Sequence, residues 1–363
     1  MVRSHKVVVG HFDKLPFAFI AGFLIFGLVM VYEASSAQAL QSFNDKYFFL
    51  KEQFKWVLLG LIAGVFAFFF DYKQLKKLAL PALLVVIFLL ISVFLPGIGV
   101  RAYGAHRWIN FGFTVVQPSE LAKLAFLIYL SAWLTTKEKG RLVSFLLLVG
   151  LLVGLIILEP DMGTAIILFG SAMAVYFLSD SELLGLIYLF PLITLGAIGL
   201  AVKSEYRLKR VMTFFDPNAD PLGASYHIRQ ILISLGSGGL LGLGLGNSRQ
   251  KYSYLPEATT DSIFAIIGEE LGLIGGAVLL LAFGYFFYYC LKLTMSVSDQ
   301  FGRLLGIGII FWLAFQTLVN LASMVALIPL TGVPLPFISY GGSALVVELL
   351  GMGILANIWR QNI

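Results

Sequence analysis

The sequence predicts an all-α integral membrane protein, a polytopic bundle of ten transmembrane helices with one long extracytoplasmic loop before the eighth. Three observations carry this. Of 363 residues, 59% are hydrophobic and 12% charged, whereas an ordinary soluble domain carries about 25% charged residues. Mean hydropathy is +0.91. The apolar residues also gather into stretches of membrane-crossing length, where an open segment satisfies its own backbone only as a helix.

In order, the stretches are 15–32, 56–70, 78–95, 119–134, 142–158, 163–179, 183–202, 263–291, 303–328 and 343–359. The first follows Lys14 and precedes Ala37-Gln38-Ala39, as a signal peptide would, but its 18 residues exceed the about 7–15 of a signal's apolar core. A retained anchor is expected. The fourth opens at Pro118, suited to a first helical position, with Ser119 and Glu120 in the first turn. Ten spans put both termini on one side. With the termini inside, the short loops carry 12 Lys and Arg inside against 5 outside; the segment 203–262 is set aside because long loops cross largely regardless of charge. Both termini are therefore expected in the cytoplasm, with 96–118 and 203–262 facing outward. The expected organisation is one membrane domain over 1–363, with 203–262 as its long loop.

One cysteine, Cys290, and four separated histidines, His5, His11, His106 and His227, offer neither a disulfide framework nor a zinc module. The net charge of +5 is accounted for by membrane-flanking basic residues, without nucleic acid. No internal repeat and no matched pair of interrupted helices is visible, which speaks against an inverted-repeat transporter.

The outward segments hold the chemistry. Glu120 and Lys123 lie three apart on one helical face at a membrane boundary, so they must face protein or water. They read either as a salt bridge locking two helices or as an anion-binding lysine oriented by its glutamate. Arg107, beside Trp108, is either an interfacial anchor or a guanidinium placed for a phosphate. Residues 236–246 contain six glycines, but the spacing fits no nucleotide-binding loop. They suit a re-entrant or interfacial segment packed closely on neighbouring helices, and their amides could also cradle a phosphate. Arg207, Arg210, Arg229, Arg249 and Lys251 share this loop, so an anionic ligand is a fair expectation. Asp261, just before the eighth span, reads first as a helix N-cap and also as a candidate general base. Glu269, Glu270 and Glu348 lie within apolar segments and must be paired or face a polar cavity.

The strings GAHRWINFG, QPSELAKL, EPDMGTA, DPNADPLGASY, GSGGLLGLGLG, YLPEATTDSIFAIIGEELGLIG and PLPFISYGGSALVVELLGMGILANI occur in this order. Together they resemble the SEDS family (shape, elongation, division and sporulation) over essentially the whole chain. GLVMVYEASS and GLGNSRQKYSYLPEA resemble its division branch, FtsW, more than its elongation branch, RodA. The resemblance implies a ten-span peptidoglycan glycosyltransferase that polymerises lipid II at the outer face of the bacterial cytoplasmic membrane, at the division septum. It would work with a class B penicillin-binding transpeptidase and other division membrane proteins. It also implies that Asp261 is the essential aspartate and that Glu120, Lys123, Arg107 and Arg210 meet the diphosphate headgroup, with Arg229 a weaker candidate. Asp161 and the turn Ser339, Tyr340, Gly341 and Gly342 are the family's remaining motif positions. A divalent ion, Mg or Mn, would assist the leaving diphosphate, with ligands not identified. Where the family usually has a histidine two before the aspartate and a phenylalanine after it, this sequence has Thr259 and Ser262. A lipid II flippase, a non-catalytic scaffold and a RodA-like elongation polymerase are the alternative readings.

Overall fold

The computed structural model describes residues 13–102, 105–112, 114–136, 140–179, 199, 208, 212–216, 223, 225–252 and 254–362. Its helices are α1 (Leu15–Phe43), α2 (Phe48–Phe69), α3 (Tyr72–Ser92), α4 (Pro118–Leu134), α5 (Leu142–Leu158), α6 (Met162–Leu178), α7 (Tyr226–Gly238), α8 (Ile263–Met295), α9 (Gln300–Met324) and α10 (Gly342–Asn362). Each apolar stretch coincides with one of them except 183–202, which lies almost wholly outside the described residues. By length and composition six are long and apolar enough to cross a membrane, namely α1, α2, α3, α8, α9 and α10, and α5 and α6 are shorter apolar helices.

The helix ends follow from local chemistry. Asp71, Asp161 and Asp299 accept hydrogen bonds from the first-turn amides of Lys73, Thr164 and Gly302 at 2.8–3.1 Å, satisfying donors that a helix start leaves open. Pro118 occupies the start of α4 as expected. Asn44 ends α1 in the left-handed conformation at φ 53°, its N–H returning to the Leu40 carbonyl, a cap that asparagine tolerates.

α4, α9 and α10 are buried nearly all round and form the centre. α2, α3, α5 and α8 surround them and turn Ile62, Phe66, Phe88, Leu147 and Leu281 outward, as a lipid-facing shell does. α2 and α10 touch backbone to backbone: a Cβ on Gly353 would stand 2.2 Å from the Gly64 carbonyl oxygen, the small-residue contact by which membrane helices approach closely.

Two expectations are corrected. The fold is not helical throughout, because the loop before α4 forms a three-stranded antiparallel sheet, β1 (Gly99–Ala102), β2 (Ala105–Asn110) and β3 (Val115–Val116). Asp261 is not the N-cap of α8; Ser262 holds that position, without a side-chain cap bond. The long segment before α8 carries the helix α7.

α8 is broken at Gly272, where φ is 68° and ψ −170°. A continuous helix would bond the amides of residues 273 and 274 to the carbonyls of 269 and 270. Here the glycine-rich loop takes over both bonds. Leu273 and Ile274 donate to the carbonyls of Gly239 and Leu240, while Leu243 and Gly244 donate to those of Glu269 and Glu270, all at 2.9–3.1 Å. Gly242 and Gly272 both have positive φ, and a Cβ on either would stand within 2.3 Å of the other segment's backbone. The loop is thus the close-packed segment that its composition suggested. Its amides at 242–244 are bonded to carbonyls, which removes them as a phosphate cradle.

Candidate functional site

The site is assembled on the stretch 331–343, which runs from the connection after α9 into the first two residues of α10. Two amides one helical turn apart on α9 hold this stretch. Gln316 donates to the Pro334 carbonyl at 3.1 Å, and Asn320 donates to the Val333 carbonyl at 2.7 Å. Each reaches a second region as well. Asn320 donates at 2.8 Å to the Asp261 carbonyl, and Gln316 accepts from Lys123 Nζ at 2.9 Å. Positions four apart share a helix face about 6 Å apart, so Asp261 and Lys123 are brought to neighbouring turns of α9.

Around Asp261 the main chain is held firmly. Ser339 Oγ donates to the Thr260 carbonyl and Tyr340 N–H to the Thr259 carbonyl at 2.8 Å. Gln53 of α2 in turn donates to the Ser339 carbonyl at 3.1 Å. Glu257, at φ 51°, turns its carbonyl to accept the amides of Thr260 and Ser262. Phe337, at φ 63°, has its amide held by Glu348 Oε2 at 2.9 Å. Non-glycine residues in the left-handed region are uncommon and gather where surrounding structure imposes them, often at functional sites. The Thr260 hydroxyl lies 2.8 Å from Glu257 Oε2 and 3.3 Å from Asp261 Oδ1. The surrounding protein and the Asp261 carboxylate push the Glu257 carboxyl above the usual range, while the Thr260 hydroxyl and His227 act the other way.

The pair read from the α4 spacing is formed. Lys123 Nζ stands 2.9 Å from Glu120 Oε2, and both side chains are buried. Lys123 also lies 5.0 Å from the Trp312 ring centroid, and Trp312 donates to Gln316 Oε1 at 2.9 Å. Gln316 passes on to Glu348 Oε1 at 3.1 Å. The result is one buried network, Glu120, Lys123, Gln316 and Glu348, joining α4, α9 and α10. Removing one member of such a buried pair strands its partner, at about 3–5 kcal/mol.

Arg107, on β2, grips the turn between α5 and α6. Its Nε donates to the Glu159 carbonyl at 3.1 Å and an Nη donates to the Pro160 carbonyl. Asp161 caps α6 and accepts from Gln117 Nε2 at 3.0 Å. Glu159 is fully buried, and neither carboxylate oxygen has a hydrogen-bond partner among the described residues. Burial and the neighbouring Asp161, opposed by Arg107, leave the Glu159 carboxyl pushed up to about 9. A Cβ on Gly163 would stand 2.6 Å from the Thr331 carbonyl oxygen, so the start of α6 also abuts the 331–343 stretch. Gly342 abuts Trp56 of α2 at 2.2 Å by the same measure, and Ser343 Oγ accepts from the Gln117 amide at 3.2 Å.

Among the basic residues expected at a headgroup, Arg107 and Lys123 are thus tied into this assembly. Arg229 lies half-buried on α7, without an ion-pair partner among the described residues. Arg210 lies outside the described residues. Among the described residues no group of three or more His, Cys, Asp or Glu could hold a metal ion, so these residues offer no ligand set for a divalent ion. Sequence reasoning passed over Gln117, Glu159, His227, Gln316 and Asn320. The signal for two of them was present, since Gln316 and Asn320 are amides four apart inside an apolar span, where a polar side chain needs a partner.

The chain matches the FtsW/RodA/SpoVE profile, described as a cell cycle protein, over residues 13–363. It is 37% identical over 345 residues to the stage V sporulation protein E of Bacillus subtilis, covering 93% of this chain and 94% of that one. To the probable peptidoglycan glycosyltransferase FtsW of Geobacter metallireducens it is 39% identical over 343 residues, covering 92% and 90%. Its fold is similar to a solved chain described under the structural coordination of polymerization and crosslinking by a peptidoglycan synthase complex, with TM-score 0.80, 28% identity and coverage of 96% and 98%. It is also similar to the crystal structure of the rod shape determining protein RodA of Thermus thermophilus, with TM-score 0.71, 27% identity and coverage of 96% and 97%. The match extends over nearly the whole chain in both sequence and fold, and the chain belongs to the FtsW/RodA/SpoVE family, the SEDS proteins.

Proposed function

We propose that this chain is a peptidoglycan glycosyltransferase that polymerises lipid II at the outer face of the bacterial cytoplasmic membrane, in septal wall synthesis. The observation that carries the reading is the shared anchoring of the Asp261 segment and the Lys123 network on adjacent turns of α9. In this reading the bundle has ten spans, with 183–202 as the seventh, and both termini are cytoplasmic. The stretches 96–118, 159–162, 203–262 and 329–342 then all face outward.

The reaction needs a sugar hydroxyl to attack C1 of a lipid-diphosphate-linked sugar, inverting that centre in one displacement. A hydroxyl is a weak nucleophile, and a positioned carboxylate that takes its proton contributes about 10²–10⁴-fold. Asp261 suits this role because its main chain is pinned through residues 259–261. The departing diphosphate carries negative charge, which fixed cationic groups stabilise in a water-poor site. Lys123 and Arg107 are the candidates, with Arg210 and Arg229 as further ones. Glu120 and Asp161 hold these cations and their turns in place. A divalent ion would add charge at the same oxygens when bound, and no step here depends on it. A class B penicillin-binding transpeptidase is the expected partner.

The test is glycan polymerisation from labelled lipid II by the purified chain with its transpeptidase, comparing wild type with Asp261→Asn. The expected outcome is a loss of about 10²–10⁴-fold with an unchanged melting curve. Undiminished polymer from the variant would overturn the assignment. Headgroup translocation in vesicles without polymer would favour a flippase instead.

A further inference from the structure

We propose that Thr260 and Glu257 form a proton relay that empties Asp261 after each transfer. The inference rests on the general-base reading of Asp261 and adds where the proton goes. Asp261 is buried, at 7% exposure, and Glu257, four residues upstream, is exposed. The Thr260 hydroxyl stands between them, 2.8 Å from Glu257 Oε2 and 3.3 Å from Asp261 Oδ1. A hydroxyl donates on one side while it accepts on the other, so this one can pass a proton between two carboxylates. His227 also neighbours the turn, but its Nε2 lies 2.8 Å from Ser262 Oγ, and the contact to Asp261 Oδ1 is made by Thr260.

The main chain fixes this arrangement. Glu257, at φ 51°, turns its carbonyl onto the amides of Thr260 and Ser262 at 3.2 and 3.1 Å, which folds residues 257–262 into one tight turn. Ser339 holds the Thr260 carbonyl and Asn320 the Asp261 carbonyl. The Thr260 hydroxyl also has the Glu257 carbonyl at 3.2 Å, so its one proton has three acceptor oxygens within reach, as a relay requires. A base that has taken a proton is spent until it loses it, and a bound acceptor sugar covers what exposure Asp261 retains. In the relay the Asp261 acid gives its proton to Thr260 Oγ while the Thr260 O–H bond breaks toward Glu257 Oε2. Asp261 is again a carboxylate, Glu257 is the acid, and Glu257 releases the proton to water. The surrounding protein and Asp261 hold the Glu257 carboxyl above its usual range, so it accepts the proton more readily than an ordinary carboxylate. Thr260 and Glu257 act through Asp261 and need not touch substrate.

Two variants interrupt the relay at different points. Thr260→Val keeps the branched shape and removes the hydroxyl; Glu257→Gln keeps the shape and removes the accepting carboxylate. The experiment measures kcat and KM for lipid II polymerisation by the full chain with its transpeptidase, at one pH and ionic strength, in rising concentrations of imidazole, a small proton carrier. Each variant should lose about tenfold in kcat, less than the loss of the base itself, with KM and the melting curve unchanged. Imidazole should restore kcat in both and leave wild type unmoved, a response that a merely structural role would not produce. Thr260→Ser, which returns a hydroxyl, should recover most of the rate. Wild-type kcat in Thr260→Val or Glu257→Gln, or a loss that imidazole does not relieve, would overturn the proposal. Glu257→Gln, at an exposed position, decides the matter if Thr260→Val does not fold. Asp261→Asn separates the two ideas. If it retains polymerisation, the general-base reading fails; if it loses polymerisation while Thr260→Val and Glu257→Gln keep the wild-type kcat, only the relay fails.

Discussion

Two acidic regions lie at the two ends of the first half of α8, and they are bonded in opposite ways. At Glu269 and Glu270 the carboxylates themselves take the donors. Glu269 accepts from the Arg249 amide at 3.0 Å and from the hydroxyls of Ser248 and Ser234 at 2.5 and 3.3 Å. Glu270 accepts from the Ser248 amide at 3.2 Å and pairs with Lys251. At residues 259–261 the donors of Asn320, Ser339 and Tyr340 go instead to main-chain carbonyls. The first pattern uses acid side chains to seat a loop, and the second fixes a backbone that carries an acid. Buried charge in the first region therefore seats the loop, and in the proposed reading the charge of the second region serves the chemistry.

Neutralising one acid in each region is the sharpest way to break this contrast. Asp261→Asn should cost the most activity, about 10²–10⁴-fold in polymerisation, while its melting temperature in detergent stays within about 2 °C of wild type, because the amide and carboxylate have similar shapes and the anchoring bonds are to main chain. Glu269→Ala should do the reverse to the fold. It strands the Arg249 amide and the Ser248 hydroxyl, while the Ser234 hydroxyl keeps the Ala265 carbonyl at 2.9 Å, at about 2–4 kcal/mol, read as a lowered melting temperature. A fold as stable as wild type would remove Glu269 from the scaffold.

Two glycines of the loop sharpen the comparison further. Gly242→Ala puts a methyl group 2.1 Å from the Glu270 carbonyl at a φ of 81° and should destabilise by about 2 kcal/mol. Gly236→Ala, in the last turn of α7 where nothing lies within 4 Å of the added carbon, should stabilise by about 0.5–1 kcal/mol. Equal melting temperatures for the two variants would mean that the loop is not seated on the broken helix.

The smallest expected effect is a pH dependence at Glu159. Its carboxyl, ordinarily at 4.5, is raised to about 9, so between these values the folded chain binds a proton that the unfolded chain does not. Stability then falls as pH rises through this window and levels off above it. Glu159→Gln removes the titration. Its melting temperature should match wild type near pH 4 and exceed it by about 2 °C near pH 9. Identical profiles would show that the carboxyl titrates normally.

The helices on nine of the apolar stretches and the Glu120–Lys123 pair were legible because each is a local pattern, an apolar run or an i,i+3 spacing. What was not legible depends on tertiary partners. The strands β1–β3 span two to six residues, too short for any periodicity to register. Gly268, Gly272, Gly275 and Gly276 are equivalent as symbols, and only the seat of residues 239–244 selects Gly272 for the break. Asp261 read as an N-cap because an acidic residue before an apolar run usually is one; the turn begun by Glu257 placed Ser262 there instead. Thr259 and Ser262 looked like losses from a motif, and only the arrival of α7 shows that the second of them meets a histidine.

The break in α8 also bears on how the chain is made. A half-helix that lacks two of its own backbone bonds would cost several kcal/mol in hydrocarbon for each group left open. Its substitute donors and acceptors lie at 239–244, upstream in the chain. Synthesis runs from the N-terminus, so the ribosome delivers the loop before the segment that needs it. A circular permutant opened between Gly246 and Asp261 would reverse that order, and α8 would have to enter the membrane with its middle unsatisfied.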